Sequence, residues 1–113
     1  MCGRYIRRST KKVIVDWFGV DPDHLPEFGP SFNIAPQTFQ PVVDSPPVTG
    51  EREVVLMRWG LVPFWARDAR AGVKRINARA ESIATNASFR EAIKERRCLV
   101  PADAFYEWQK IGT

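Results

Sequence analysis

Glu53-Val54-Val55-Leu56-Met57-Arg58-Trp59 is the stretch of sequence that decides the fold. A short run rich in β-branched and aromatic residues predicts a β-strand. Because most of its residues are apolar instead of alternating with polar ones, we expect this strand to be central in its sheet. The next residues, 60–65, contain Gly and Pro together with large apolar groups, and they predict a turn.

Three other segments also have strand character. Residues 39–43 form one candidate, and a turn is predicted after it at Asp44-Ser45-Pro46-Pro47. Residues 98–101 and 104–109 form two more, and the last alternates, with Phe105 and Glu107 on one face and Tyr106 and Trp108 on the other. Residues 20–50 hold seven of the nine prolines, so we expect irregular structure there in place of a long helix.

Two short helices are predicted. The first spans residues 9–19, with Ser9 or Thr10 as the N-cap and Gly19 at its end, although its β-branched residues also allow a strand. Its apolar residues recur at helical spacing and are expected to face the core: Val13, Ile14, Trp17 and Phe18.

The second helix is predicted to begin at a capping box formed by Ser88 and Glu91, and to run through Arg97. Its inward residues are expected to be Phe89, Ala92 and Ile93.

The composition indicates a single soluble globular domain. The chain has 113 residues, of which 44% are hydrophobic and 27% charged. No apolar run approaches the ~20 residues of a membrane helix, and no signal peptide is recognisable, so we expect no membrane span and a cytoplasmic location, or a nuclear one in a eukaryote. With two cysteines and one histidine, a disulfide scaffold, a metal site and a bound cofactor are not expected.

The positive charge lies in the second half of the chain. Residues 1–56 have six Lys or Arg and seven Asp or Glu, a net −1, whereas residues 57–113 have eleven and six, a net +5. This excess is either a solvated basic face or a surface for nucleic acid. Aromatic residues precede the basic ones, as in proteins that stack unpaired bases: Trp59, Phe64 and Trp65 before Arg67, Arg70, Lys74 and Arg75.

Cys2 is the first candidate for chemistry. If Met1 is removed, Cys2 offers an α-amine and a thiol on adjacent carbons, and the α-amine is partly neutral near pH 7. The amine can form an imine with an aldehyde, and the thiol can close on it to give a thiazolidine. Alternatively, the thiol attacks a carbonyl while the amine acts as the base, as in N-terminal nucleophile hydrolases.

Other candidates are weaker when taken alone. Glu107 lies among aromatic residues, which would raise its pKa and suit it to acid–base work. Asn77 and Arg79 lie two residues apart, so in an extended segment they point the same way. His24 is expected in solvent, and Cys98 is expected to be a buried structural thiol.

Five motifs occurring in order resemble the SRAP family, the abasic-site processing proteins linked to the SOS response. They are Met1-Cys2-Gly3-Arg4-Tyr5, Phe32-Asn33-Ile34-Ala35-Pro36, Trp59-Gly60-Leu61-Val62-Pro63-Phe64-Trp65, Ile76-Asn77-Ala78-Arg79-Ala80-Glu81 and the segment from Arg97 to Trp108.

The resemblance implies an α+β fold with a barrel-like, mainly antiparallel β core flanked by short helices. It implies that the processed Cys2 forms a thiazolidine with an abasic site in single-stranded DNA, with Asn77 in the active site and Glu107 as acid and base. It assigns Arg4 and Arg79 to phosphate and places Trp65 and Pro36 near the DNA. The family's peptidase label reflects removal of Met1, viewed as autoproteolysis, and a lyase-like activity is implied as well.

The resemblance also implies an active-site histidine from the family's second half, and residues 1–113 have no match for it. We therefore expect a single SRAP-like domain over residues 1–113 that lacks its C-terminal part. Besides covalent bonding to abasic sites, two other functions stay open: an N-terminal nucleophile peptidase or amidohydrolase, and non-covalent binding of single-stranded DNA. The oligomeric state is left open.

Overall fold

The computed structural model describes residues 2–112. Its elements in chain order are β1 (Arg4–Arg7), α1 (Lys11–Phe18), β2 (Ser31–Ile34), β3 (Phe39–Asp44), β4 (Glu53–Arg58), α2 (Arg90–Glu95) and β5 (Ala104–Tyr106). Short 3-10 helices lie at Pro22–His24 and Ala69–Lys74. All strand pairs are antiparallel, which confirms the predicted α+β class.

Strand β1, next to the N-terminus, is the centre of a three-stranded sheet with the order β2-β1-β5. Tyr5 pairs with Ile34 on one side and with Phe105 on the other. Tyr5 and Arg7 are buried, whereas Arg4 on the opposite face is exposed. The sheet therefore brings the first residues of the chain against the strand that precedes Glu107.

Arg7 ties this sheet to the rest of the molecule. It is only 2% exposed, and it donates to Gln40 Oε1 and to the Gly29 carbonyl, both at 3.0 Å. Its guanidinium lies over the Phe28 ring. Burial lowers the pKa of Arg7, because the charged form loses its hydration.

A second sheet consists of β3 and β4, joined by a turn in which the Gly50 amide donates to the Pro46 carbonyl. The predicted strands at 39–43 and 53–59 are thus confirmed, but β4 is not central in the described part of the chain. Within residues 2–112 it pairs with β3 alone, and of its residues only Val54 is buried. Met57 stays 39% exposed because it faces an open apolar cavity of about 570 Å³.

The two sheets are linked but do not close into a barrel within the described residues. Val43 and Leu99 exchange backbone hydrogen bonds of 2.8 and 2.9 Å. The chain then continues from Leu99 into β5 and the first sheet. Of the predicted strand at 98–101, only this bridge forms, and Cys98 is exposed at the cavity instead of buried.

Helix α1 forms as predicted, with the Thr10 hydroxyl accepting from the Val13 amide and Gly19 ending the helix at φ +63°. Its inward face differs from the prediction. Ile14 is buried with Val20, Val43 and Val54, whereas Trp17 is 80% exposed. The β3–β4 sheet meets the helix along the stripe that runs through Ile14, and Trp17 lies outside that stripe.

Helix α2 lacks the predicted capping box. Its N-cap is Phe89, which makes no side-chain cap bond. The Ser88 hydroxyl instead accepts from Arg75 Nε at 2.7 Å, and the Glu91 carboxylate accepts from Arg96 at 2.6 Å. The Ser88 amide donates to Asn86 Oδ1 at 2.8 Å, so other partners replace both bonds of the predicted box, and the helix ends at Glu95. Ala92 is its buried residue, and Phe89 and Ile93 are half-buried.

Candidate functional site

Cys2 and Asn77 meet although 75 residues separate them in the sequence. The Asn77 side-chain amide donates to the Cys2 carbonyl at 2.7 Å. The Cys2 thiol lies 3.3 Å from the Arg4 carbonyl. Both residues are half-buried. An amide that holds the Cys2 carbonyl restricts where the adjacent thiol and α-nitrogen can point.

A network of backbone contacts positions Asn77. The Trp59 indole donates to the Ile76 carbonyl at 2.9 Å, and the Leu61 amide donates to the Arg75 carbonyl at 2.9 Å. Trp59 also makes an edge-on contact with the buried Tyr5 ring, at 5.5 Å between centroids. Strand β1, through Tyr5, and the turn after β4 together position the segment that carries Asn77.

Two glycines make this turn possible. A Cβ on Gly60 would lie 2.5 Å from the Gly72 carbonyl oxygen, and one on Gly72 would lie 2.7 Å from the Gly60 carbonyl oxygen. Gly60 also has φ +129°, which residues with side chains rarely adopt. The two backbones can approach this closely only because both positions are glycine.

Glu107 shares a groove with Cys2. The groove, about 800 Å³, is also lined by Tyr5, Val100 and Phe105. The apolar enclosure predicted for Glu107 is not present, because β5 is an edge strand in the described part of the chain and its residues are exposed. Trp108, for example, is 99% exposed. Glu107 therefore lines the groove at a side that is open to solvent.

Arg4 lies in a neighbouring groove that Glu107 also lines, of about 690 Å³. Its Nη1 donates to Asn33 Oδ1 at 2.9 Å. Tyr106 lines the same groove, and its hydroxyl donates to the Phe32 carbonyl at 2.9 Å. Arg4 therefore places a cation in this groove, two residues along the chain from Cys2.

Asn77 and Arg79 line a third groove, of about 300 Å³. The shared residues link the three grooves: Asn77 bonds to Cys2, and Glu107 lines both of the others. Cys2 therefore contacts Asn77 directly and shares a groove with Glu107, whereas Arg4 and Arg79 each line a different neighbouring groove.

Trp65 and Pro36 are not among the residues that line these grooves. The Trp65 indole donates to the Ala87 carbonyl at 3.3 Å, and the Arg75 guanidinium lies over its ring. Ala87 follows Asn86, which lines the Asn77–Arg79 groove. Trp65 thus bonds to the residue next to one that lines this groove. Pro36 lies in the turn after β2.

The basic residues before Arg79 are not all available to an anion. Arg70 makes an ion pair with Asp68 at 2.6 Å, which lowers the pKa of that carboxyl. Arg75 is half-buried and donates to Ser88 and to the Ala71 carbonyl. Among the other basic residues of the stretch 67–79, Arg67, Lys74 and Arg79 are exposed.

Asn33 and Tyr106 were not predicted as site residues. Each lies within a motif that resembles the family, but neither has a side chain that suggests chemistry by itself. Only the pairing of β1 with both neighbours brings them beside Arg4.

His24 is exposed, as predicted, and its ring contacts Asp21 at 2.6 Å, which raises the pKa of the histidine.

Residues 2–112 contain no group of three or more Cys, His, Asp or Glu placed to hold a metal ion. Neither helix in the described part of the chain is long and apolar enough to cross a bilayer.

The chain matches over residues 1–113 the family model described as SOS response associated peptidase (SRAP). It is 40% identical over 114 residues to the abasic site processing protein YoqW of Bacillus subtilis (strain 168), a match that covers 98% of this chain and 49% of that protein. It is 34% identical over 116 residues to the abasic site processing protein HMCES of Rattus norvegicus, covering 94% and 31% of the two proteins.

The crystal structure of a protein from Bordetella bronchiseptica is also similar, with a TM-score of 0.72 and 28% sequence identity. That match covers 94% of this chain and 50% of the other. The chain thus spans about half the length of the Bacillus relative and of this solved structure.

Proposed function

The chain belongs to the SOS response associated peptidase (SRAP) family, and from this premise we propose that it processes abasic sites in single-stranded DNA by bonding to them through Cys2. The observation that carries the proposal is the 2.7 Å hydrogen bond from the Asn77 side chain to the Cys2 carbonyl. It brings two of the family-like motifs to one point, beside a groove that Glu107 also lines.

The chemistry needs a free α-amine on Cys2. Hydrolysis of the Met1–Cys2 bond supplies it, consuming one water and releasing methionine; Met1 itself lies outside the described residues. Autoproteolysis at this bond is part of the proposal and is supported by the description of the family as a peptidase.

Two covalent steps follow. The amine adds to the aldehyde of the ring-opened abasic sugar and loses one water, giving an imine. The thiol then adds across the imine, its proton passing to nitrogen, and closes a five-membered thiazolidine. An open imine permits strand cleavage by β-elimination, the lyase-like course, whereas ring closure removes the imine and protects the strand.

The proposed roles of the neighbouring residues follow from their places. Glu107 exchanges protons during imine formation and ring closure. Asn77 orients Cys2 through its carbonyl. Arg4 and Arg79, both exposed in the flanking grooves, bind the phosphates on either side of the lesion. Single-stranded DNA fits because an unpaired sugar can enter the groove without the cost of extrusion from a duplex.

A denaturing gel tests the proposal. The protein is incubated with a single strand carrying one abasic site, and with the same strand after its aldehyde has been reduced. Wild type should give a shifted band with the first strand alone. Cys2→Ala, used after its intact mass has shown that Met1 is absent, keeps the amine but lacks the thiol. It should give a stable band only when borohydride is added to trap the imine. Equal bands from wild type and Cys2→Ala without borohydride would refute the thiazolidine.

A further inference from the structure

Arg4 is held in its groove by a neutral partner. Its Nη1 donates to Asn33 Oδ1 at 2.9 Å, and both side chains are exposed. An arginine has five N–H donors in a planar fork, and this bond uses one of them. A phosphate that approaches the groove can take others.

The sheet register explains why Asn33 reaches Arg4. On one side of β1, Arg4 pairs with Tyr106. On the other side Tyr5 pairs with Ile34, so Asn33 lies diagonally across from Arg4. Residues in this relation share a face of the sheet. The Tyr106 hydroxyl reaches over β1 to the Phe32 carbonyl at 2.9 Å and so anchors β2 next to Asn33.

The neutrality of Asn33 matters because the same chain also contains an arginine that is paired with a carboxylate. Arg70 makes a 2.6 Å ion pair with Asp68, so its charge is compensated by a carboxylate. Asn33 offers the same kind of acceptor oxygen without a negative charge. The bond from Asn33 therefore directs Arg4 without adding a negative charge to the one that Glu107 already brings to this groove.

We propose that Asn33 is a positioning residue that pre-orients the Arg4 guanidinium for a DNA phosphate beside Cys2. The proposal deepens the function proposed above and rests on it for the identity of the anion. It makes a specific claim about charge: an acceptor at position 33 must be neutral, because a carboxylate there would cancel Arg4.

The test measures non-covalent binding of an intact single-stranded oligonucleotide, without an abasic site, by fluorescence anisotropy over a series of salt concentrations. Arg4→Ala should lower the slope of log affinity against log salt by about 0.7, the value for one phosphate contact on a single strand. Asn33→Asp should lower it equally. Asn33→Ala should leave the slope unchanged and weaken binding about threefold to tenfold, the effect of one hydrogen bond.

A double mutant separates positioning from a direct contact. In the Arg4→Ala protein, adding Asn33→Ala should cause no further loss, because Asn33 acts through Arg4. Val48→Asp is the matched control for added charge, since Val48 is 96% exposed in the β3–β4 loop. It should leave the salt slope unchanged. Thermal melts check that each variant folds, and Asn33→Asp carries the test if Asn33→Ala does not fold.

The inference is overturned if Asn33→Asp changes the salt slope no more than Val48→Asp does, or if the Arg4 and Asn33 effects add. It is also overturned if wild type binds the strand without salt dependence. These results are independent of the covalent step, because the oligonucleotide has no aldehyde. An absent covalent band with these effects present refutes the thiazolidine chemistry and leaves the role of Asn33 standing.

Discussion

Replacing Gly60 with alanine should destabilise the protein strongly, because the new Cβ has nowhere to go. It would lie 2.5 Å from the Gly72 carbonyl oxygen and 2.9 Å from the Gln37 side-chain nitrogen. Gln37 could give way, since its end is a side chain. Gly72 could not, because the contact is with backbone. The residue would also have to keep a φ of +129°.

The expected cost follows from these two effects. Holding a residue with a side chain in such a backbone conformation costs about 1–3 kcal/mol. Forcing an extra carbon into a packed contact costs about 1–3 kcal/mol more. The sum, about 2–6 kcal/mol, is a large part of the total of about 5–15 kcal/mol for a typical domain. At about 4 °C per kcal/mol, the melting temperature should fall by about 8–24 °C.

Thermal unfolding followed by circular dichroism measures this effect. Gly29→Ala is the matched control, because a Cβ there meets nothing within 4 Å and the residue has no positive φ. Its stability should stay within about 1 kcal/mol of wild type. A Gly60→Ala protein that melts within about 2 °C of the Gly29→Ala control, a difference of at most about 0.5 kcal/mol, would refute the packing of the turn that precedes Asn77.

Three other predictions test separate parts of the structure. Asn77→Ala removes the bond to the Cys2 carbonyl, worth about 1 kcal/mol, and should slow covalent capture of an abasic strand about fivefold in a gel time course. Asp103 accepts from the Ser9 hydroxyl and from the Ser9 and Arg8 amides, and these bonds keep the pKa of its carboxyl below the usual value. The ionised Asp103 therefore stabilises the folded protein above the pKa of the unfolded state, and this contribution is lost as the pH falls through the pKa of the folded state. When the pH is lowered past about 4, the urea concentration at the unfolding midpoint should therefore fall more steeply in wild type than in Asp103→Asn. Ile14→Ala should cost about 2–5 kcal/mol and Trp17→Ala under about 0.5 kcal/mol by urea unfolding, because Ile14 is buried and Trp17 exposed.

Local signals in the sequence were sufficient to predict those elements whose ends are set by their own residues. Thr10 and Gly19 delimit α1 through a cap and a left-handed backbone, and both effects act within a few residues. The same reasoning was wrong at Ser88 and Glu91. The Ser88 hydroxyl accepts from Arg75, which precedes the helix by 15 residues, and Glu91 pairs with Arg96 at the end of its own helix. Whether a polar residue caps a helix depends on which other partners the fold brings near.

The site was only partly predictable for the same reason. Motif order pointed to Cys2 and Asn77, but their contact depends on the packing of Trp59 and Gly60, which lie far away in sequence. Strand β1 was not predicted, since four residues give little periodicity; without it Asn33 and Tyr106 could not be placed beside Arg4. Strand β4 was expected to be central, but in the described part of the chain it pairs with β3 alone. Apolar content by itself does not tell how many neighbours a strand pairs with.

The most direct test of the central claim is the intact mass of the protein before and after incubation with an abasic single strand. We predict a starting mass that lacks Met1, and a product equal to protein plus oligonucleotide minus one water, formed by wild type and absent from Cys2→Ala without borohydride. A folded wild-type protein that lacks Met1 but gains no such mass, or an identical product from Cys2→Ala, would contradict it.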